Sequence, residues 1–139
     1  MLRQSSTVLP IRADRPGLTE FTGKVREFPC ESGIQEGLLT IFCRHTSASL
    51  VIQENAAPAS RRDLEAYFER IAPESADYEH DDEGPDDMPA HLRSALTATQ
   101  LSIPVRDGKP MLGTWQGIFL FEHRRNTPER QIALHLVGE

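Results

Sequence analysis

Cysteine is scarce in this sequence. Cys30 and Cys43 are too few for a disulfide framework and lack CxxC spacing, so both are expected as reduced thiols. No apolar run approaches the roughly 20 residues that a bilayer-spanning helix needs. The start, Met1-Leu2-Arg3-Gln4-Ser5-Ser6, has neither an apolar h-region nor a cleavage-site pattern. The expectation is a soluble, cytoplasmic protein with no membrane partner. No Lys/Arg cluster is backed by aromatics, which argues against a duplex-binding surface, so no nucleic-acid partner is expected. GxGxxG, Walker and HExxH patterns are absent, and there is no internal repeat or long linker.

What is present is a 139-residue chain with 38% hydrophobic residues, enough for one real core, read as a single domain over residues 1–139. The net charge of −6 is unevenly spread. Residues 74–87 carry Glu74, Asp77, Glu79, Asp81, Asp82, Glu83, Asp86 and Asp87 with no Lys or Arg, whereas His123, Arg124, Arg125 and Arg130 crowd a basic end. Like-charge blocks are commonly just solvated surface. The acidic stretch is also the one long connection in the chain, and long connections in compact domains often carry function.

The pattern predicts strands over 5–13 and 18–28 around a Pro16-Gly17 turn, and a loop over 29–37. The clearest strand is 38–44, apolar on both faces and therefore central, with Leu39, Ile41, Cys43 and His45 on one side. A second apolar run, Leu50-Val51-Ile52, follows. Asn55 is expected to cap a helix over 56–72, with Pro58 in its first turn and Leu64, Tyr67, Phe68 and Ile71 as the buried stripe. A second helix is expected over 87–98, capped by Asp86. Its apolar stripe is Met88, Leu92, Ala95 and Leu96, and Asp87, His91 and Ser94 share the neighbouring face. Strands over 101–105, 111–115, 117–123 and 131–137 complete the reading, with Asp107-Gly108 as a hairpin turn. Strands dominate and the helices are consecutive. The predicted fold is α+β, with largely antiparallel sheets packed as a sandwich and two or three helices inserted between the β halves.

Imidazoles among carboxylates bind divalent metals, move protons or hold phosphate. His45 ends the central strand, while His80 and His91 bracket the acidic segment. A metal centre from His45, His80 and His91, completed by Glu83 or Asp87, is the first candidate, with Zn, Mn or Mg as the ion. The second is an anion site from Thr46, Ser47 and Ser49 and the helix start near Asn55, with charge from Arg44, Arg124 and Arg125. Against it, turn hydroxyls mostly satisfy local backbone. Glu54 closes a buried strand face and is a candidate general base, or else a structural acceptor. Gly113-Thr114-Trp115-Gln116-Gly117 flanks an indole and an amide with glycines, reading as a ligand platform or a backbone crossing. His123 and His135 read as structural or surface residues, and Cys43 as a core thiol on the same face as His45.

Several segments together resemble the YjbQ family: His45-Thr46-Ser47-Ala48-Ser49-Leu50, Glu54-Asn55-Ala56, His80 through Gly84, Asp87-Met88-Pro89-Ala90-His91-Leu92, and Gly113-Thr114-Trp115-Gln116-Gly117-Ile118. The resemblance implies a compact α+β domain that assembles as a homotrimer, with sites near subunit interfaces that gather His45, His80 and His91. Read with the candidates above, substrate contacts are expected from Thr46, Ser47, Asn55, Trp115 and Gln116, and acid/base roles from Glu54, Asp87 and His91. The family is often labelled secondary thiamine-phosphate synthase. That activity would join an aminopyrimidine methyl diphosphate to a thiazole phosphate, which requires cationic stabilisation of the departing diphosphate. The expected function is an enzyme acting on a small phosphorylated molecule; the alternative is a metal- or ligand-binding homotrimer without turnover.

Overall fold

The computed structural model describes residues 1–139. Elements run β1 (Arg3–Ile11), β2 (Gly17–Glu20), α1 (Thr22–Ser32), β3 (Gly37–Cys43), β4 (Ala48–Glu54), α2 (Pro58–Ile71), α3 (Asp87–Leu96), β5 (Gln100–Arg106), β6 (Lys109–Pro110), β7 (Gln116–Glu122) and β8 (Arg130–Gly138). They form a five-stranded sheet, β1-β8-β3-β5-β6, and a three-stranded sheet, β2-β7-β4. Every pairing is antiparallel. This is the expected α+β architecture of packed antiparallel sheets.

Period-two alternation places the core between the sheets. Leu39 and Ile41 of β3, Ile103 and Val105 of β5, and Ile132, Leu134 and Leu136 of β8 meet Leu50 of β4 and Ile118 and Leu120 of β7. The other face of β7 presents Phe119 and Phe121, which pack with Leu18 against Leu64 and Phe68 of α2. Phe68 and Phe121 meet edge to face with ring centroids 5.2 Å apart. The outer face of the large sheet has no helix over it and exposes Val8, Leu38, Phe42 and Val137.

Four local expectations are corrected. Residues 22–32 form a helix rather than the second half of a strand, so one helix precedes the central strand instead of lying between the β halves. Phe21 and Val25, four apart, satisfy strand and helix periods equally. The deciding spacing is Thr22, Val25 and Phe28, all buried, followed by Gly33 at φ 74° as the left-handed helix terminator. Residues 111–115 are not a strand: Gln116 N–H donates to the Gly113 carbonyl at 3.1 Å, closing a turn that leaves Trp115 63% exposed. Helix α2 starts at Pro58 after Ala57, because the Asn55 amide is bonded to Glu20 instead; Tyr67 and Ile71 of its expected buried stripe are exposed. In α3 the buried face is Asp87, Ala90 and Ser94, while Leu96 is exposed. Small residues let α3 lie against β4, and Asp87 is drawn inward by an arginine.

Candidate functional site

Asp87 and His91 lie one turn apart on α3, and His80 and Glu83 come from the acidic connection before it. Their ligating atoms all lie within 4.8 Å of one another. His80 Nε2 is 3.0 Å from Asp87 Oδ2 and 3.1 Å from Glu83 Oε2. His91 Nε2 is 3.1 Å from the same Asp87 oxygen. Ligands around a tetrahedral zinc with bonds of about 2.0–2.1 Å sit about 3.3 Å apart, so the contacts of His80 and His91 to Asp87 match a metal site, while the wider pairs of the set, up to 4.8 Å, would have to draw in. His80 Nδ1 lies 3.4 Å from Asp82 Oδ1.

Hydrogen-bond accounting sharpens the reading. His91 Nδ1 lies 3.1 Å from the Thr46 carbonyl, which accepts only, so that nitrogen carries the proton. The opposite nitrogen then faces a carboxylate oxygen, and a lone pair there would repel it. Nε2 therefore needs either a second proton or a cation between it and Asp87. A carbonyl fixing the far nitrogen of a histidine is the usual outer support of a metal ligand.

Asp87 is held ionised. Burial works against its charge, but the neighbouring His91, the His80 hydrogen bond and the Arg124 guanidinium outweigh it and lower its pKa. Hydrogen bonds that His80 donates to Asp87 and then to Glu83 raise its pKa. Arg124, just beyond β7, pairs with Asp87 Oδ1, donates through Nε to Asp86 Oδ2 at 3.1 Å, and reaches the Glu83 carbonyl at 3.1 Å. Arg125 donates its backbone N–H to Asp86 at 2.9 Å and pairs with Glu74. Both arginines thus clamp their own chain's acidic segment and are not free for the anion site expected at Thr46 to Ser49. Ser49 is likewise committed: its hydroxyl is buried between His123 Nε2 at 3.0 Å and Thr97 Oγ1 at 2.5 Å.

His45 does not join the cluster. Its Nε2 accepts the Gln131 N–H at 2.7 Å, which occupies the lone pair a metal would use. Burial first, then the Arg130 charge, lowers its pKa. The ligand set expected at His45, His80 and His91 thus closes around Glu83 and Asp87 in place of His45. His45, Thr46 and Ser47 instead form a support. Arg130 Nη2 donates to the Ser47 carbonyl at 3.0 Å and binds buried Glu122 through Nε at 2.8 Å. Glu122 and Arg130 were absent from the candidates, although the alternation that puts Ile118 and Leu120 in the core puts Glu122 there too. A carboxylate so placed calls for a cation.

Glu54, Asn55, Trp115 and Gln116 gather at the other end of the small sheet. In the β4–β7 register Glu54 faces Gln116, whereas Ala48, two residues past Thr46, faces Glu122. Six strand steps separate these ends, about 20 Å. Asn55 Nδ2 donates to Glu20 at 3.2 Å, Arg61 pairs with Glu20 at 3.3 Å, and Gln116 Oε1 accepts the Gly113 N–H at 2.8 Å. A Cβ at Gly117 would stand 2.7 Å from Glu20 Oε2, so glycine is what admits this network. Within one chain, the proposed base Glu54 and the Trp115 platform cannot touch a molecule of modest size seated at His80 and His91.

An antiparallel two-sheet α+β domain carrying a His-carboxylate cluster at the mouth of its longest connection is the class these features define. The chain belongs to the YjbQ (UPF0047) family, whose model, described as UPF0047 protein YjbQ-like, matches residues 7–139. It is 47% identical over 138 residues to a UPF0047 protein of Synechocystis sp., covering 99% of this chain and 94% of that one. It is 46% identical over 120 residues to UPF0047 protein YjbQ of Salmonella typhimurium, covering 86% and 85%. The fold is similar to the crystal structure of a YbjQ-like protein of unknown function from Sulfolobus solfataricus P2, with a TM-score of 0.93 and 27% identity over all of both chains. A hypothetical protein from Aeropyrum pernix K1 gives 0.87 and 28%, covering 97% and 99%. No helix is long and apolar enough to cross a membrane.

Proposed function

We propose that His80, Glu83, Asp87 and His91 form a divalent-metal centre and that this chain is a metal-assisted enzyme for a small phosphorylated molecule. The observation that carries the reading is the His91 ring: its Nδ1 proton is held by the Thr46 carbonyl and its Nε2 is aimed at Asp87. A divalent ion there would supply positive charge for phosphate oxygens and acidify a bound water. Asp87, kept ionised by Arg124, would be the anionic anchor. Glu83 and His80 are the exposed members of the set, so a bound water or substrate would enter on their side. A cleft of about 310 Å³ beside His80 is lined by Tyr78, Pro85 and Met88 together with the carboxylates Glu74, Asp77 and Asp81, so it could seat a substrate ring, while the phosphate would need the cation's charge. Formation of thiamine phosphate is the first activity to assay, since diphosphate departure is the step that a cation of this kind assists.

The test is elemental analysis of wild type beside His91→Ala, Asp87→Asn and His45→Ala. One divalent ion per chain is expected in wild type and in His45→Ala, and none in the other two. Failure of wild type to take up zinc, manganese or magnesium would overturn the centre. The cluster would then be an ion network of protonated histidines. Metal retained with no turnover on any phosphorylated substrate would favour the binding-protein alternative.

We also propose a homotrimer, supported by the uncovered outer face of the large sheet with Val8, Leu38, Phe42 and Val137. Apolar residues grouped on one open face mark an association surface. Light scattering should give three chains per particle, and Phe42→Glu should give monomer; a monomeric wild type would sink the assembly.

A further inference from the structure

Where β3 ends, the ring of His45 stands in for a backbone carbonyl. Strands β3 and β8 pair with Cys43 opposite Ile132, so the next rung of the ladder is Arg44 opposite Gln131. A hydrogen-bonded antiparallel pair exchanges two bonds, each N–H to the other residue's carbonyl. Only one of them is made here, from the Arg44 N–H to the Gln131 carbonyl at 3.4 Å. The Gln131 N–H turns instead to His45 Nε2 at 2.7 Å. The last donor of the rung is thus satisfied by a side chain, and the main chain leaves the sheet after Cys43.

That release serves the residue after it. The Thr46 carbonyl accepts His91 Nδ1–H at 3.1 Å. The Ser47 carbonyl accepts from Arg130 Nη2 at 3.0 Å. Thr46 is therefore held from both sides, by the His45 ring and by the Arg130 guanidinium, while its own side chain is exposed. An Arg44 carbonyl bound to Gln131 would keep the chain on the line of β8 for one residue more, and the turn that presents Thr46 to α3 would open. Residues that orient the far nitrogen of a ligand change metal affinity although they touch no metal. We propose that His45 is a positioning residue for His91: by taking the Gln131 N–H it presents the Thr46 carbonyl that aims His91 Nε2 at the metal. This rests on the metal-centre reading only for what the aimed ring binds.

The test compares wild type with His45→Ala, which has no acceptor, and His45→Gln, whose Oε1 reaches about as far as Nε2 and accepts the same N–H. Zinc affinity is measured by competition with a chromophoric chelator, exchange of the His91 Nδ1–H proton by NMR on the metal-free full chain, and stability by urea midpoints. His45→Ala should still take one zinc per chain at saturation but bind it about tenfold more weakly, the low end of what losing an outer partner costs. Its His91 Nδ1–H should exchange faster than in wild type. His45→Gln should restore both. His45→Asn, whose acceptor stops short of Gln131, carries the same expectation as His45→Ala should that variant not fold. A merely structural histidine would lower the urea midpoint and leave zinc affinity and proton exchange unchanged, and that result would overturn the proposal. So would a His45→Gln that behaves as His45→Ala does. If wild type itself takes no zinc, the metal centre falls, and proton exchange in the same proteins still decides whether His45 positions His91.

Discussion

Acidification should unfold this protein through His123, and the size of the effect can be worked from its burial. The ring is packed on Phe121 with centroids 4.4 Å apart and has Arg93 and Arg130 for neighbours. Burial first, and those two cations second, lower its pKa from 6.5 to about 3. In the unfolded chain the same ring takes up its proton as pH falls below 6.5. Between pH 6.5 and about 3 the unfolded state binds the extra proton, so stability falls with falling pH. The contribution is fully present above the unfolded value and is lost at about 1.4 kcal/mol per pH unit. From pH 7 to pH 5 the loss is about 2 kcal/mol. The assay is urea unfolding of wild type and His123→Gln at a series of pH values. Groups shared by both proteins cancel in the difference. They include His45, whose lowered pKa acts in the same direction, and His80, whose raised pKa favours the folded state on acidification. The advantage of wild type over the variant should shrink by about 2 kcal/mol between pH 7 and pH 5. A difference that stays flat across that window would refute the reasoning and mean that His123 is protonated as readily in the fold as outside it.

Arg130→Met should destabilise by about 3–5 kcal/mol, because Glu122, fully buried, loses its cation; urea midpoints check this, and a loss under about 1 kcal/mol would mean that Glu122 is solvated or protonated. Arg124→Gln should cost about 1–3 kcal/mol and raise the pKa of Asp87, so that metal uptake begins to fail at a higher pH than in wild type; an unchanged uptake profile would show that Arg124 does not tune the cluster. Gly37→Ala should cost about 1–3 kcal/mol or prevent folding, since its Cβ would stand 2.2 Å from the Val137 carbonyl of the neighbouring strand; thermal unfolding at unchanged midpoint would mean that the β3–β8 crossing is looser than described.

The parts of this molecule that announced themselves are those in which one period rules out the other. Residues 38–44 and 117–123 alternate over enough positions to fix both strand and facing, down to Phe119 and Phe121 on one side and Ile118 and Leu120 on the other. Helix α1 was hidden because Phe21 and Val25, at a spacing of four, suit either period. The polar side of α3 was harder still. Its stripe of Met88, Leu92, Ala95 and Leu96 is the more apolar face, yet Asp87, Ala90 and Ser94 turn inward. Contacts from Arg124, 37 residues away, favour that orientation, and no local pattern can report them. The candidate site was legible by residue type rather than by position. His80 and His91, with Asp87 and Glu83 as partners, follow from imidazoles bracketing carboxylates. The exchange of His45 from ligand to support depends on the Gln131 backbone, which sheet pairing brings to it from far along the chain.

The turn at Gly113–Gln116 has a practical consequence. The molecule holds one indole, and that indole stands mostly in water at the far end of the small sheet from His80 and His91. Its fluorescence is a point reporter with no background from other tryptophans. A ligand seated at one chain's histidines is too distant to quench that chain's own Trp115 by contact. Contact quenching by such a ligand would therefore count encounters between copies, turning a single emission band into a ruler for how the subunits meet.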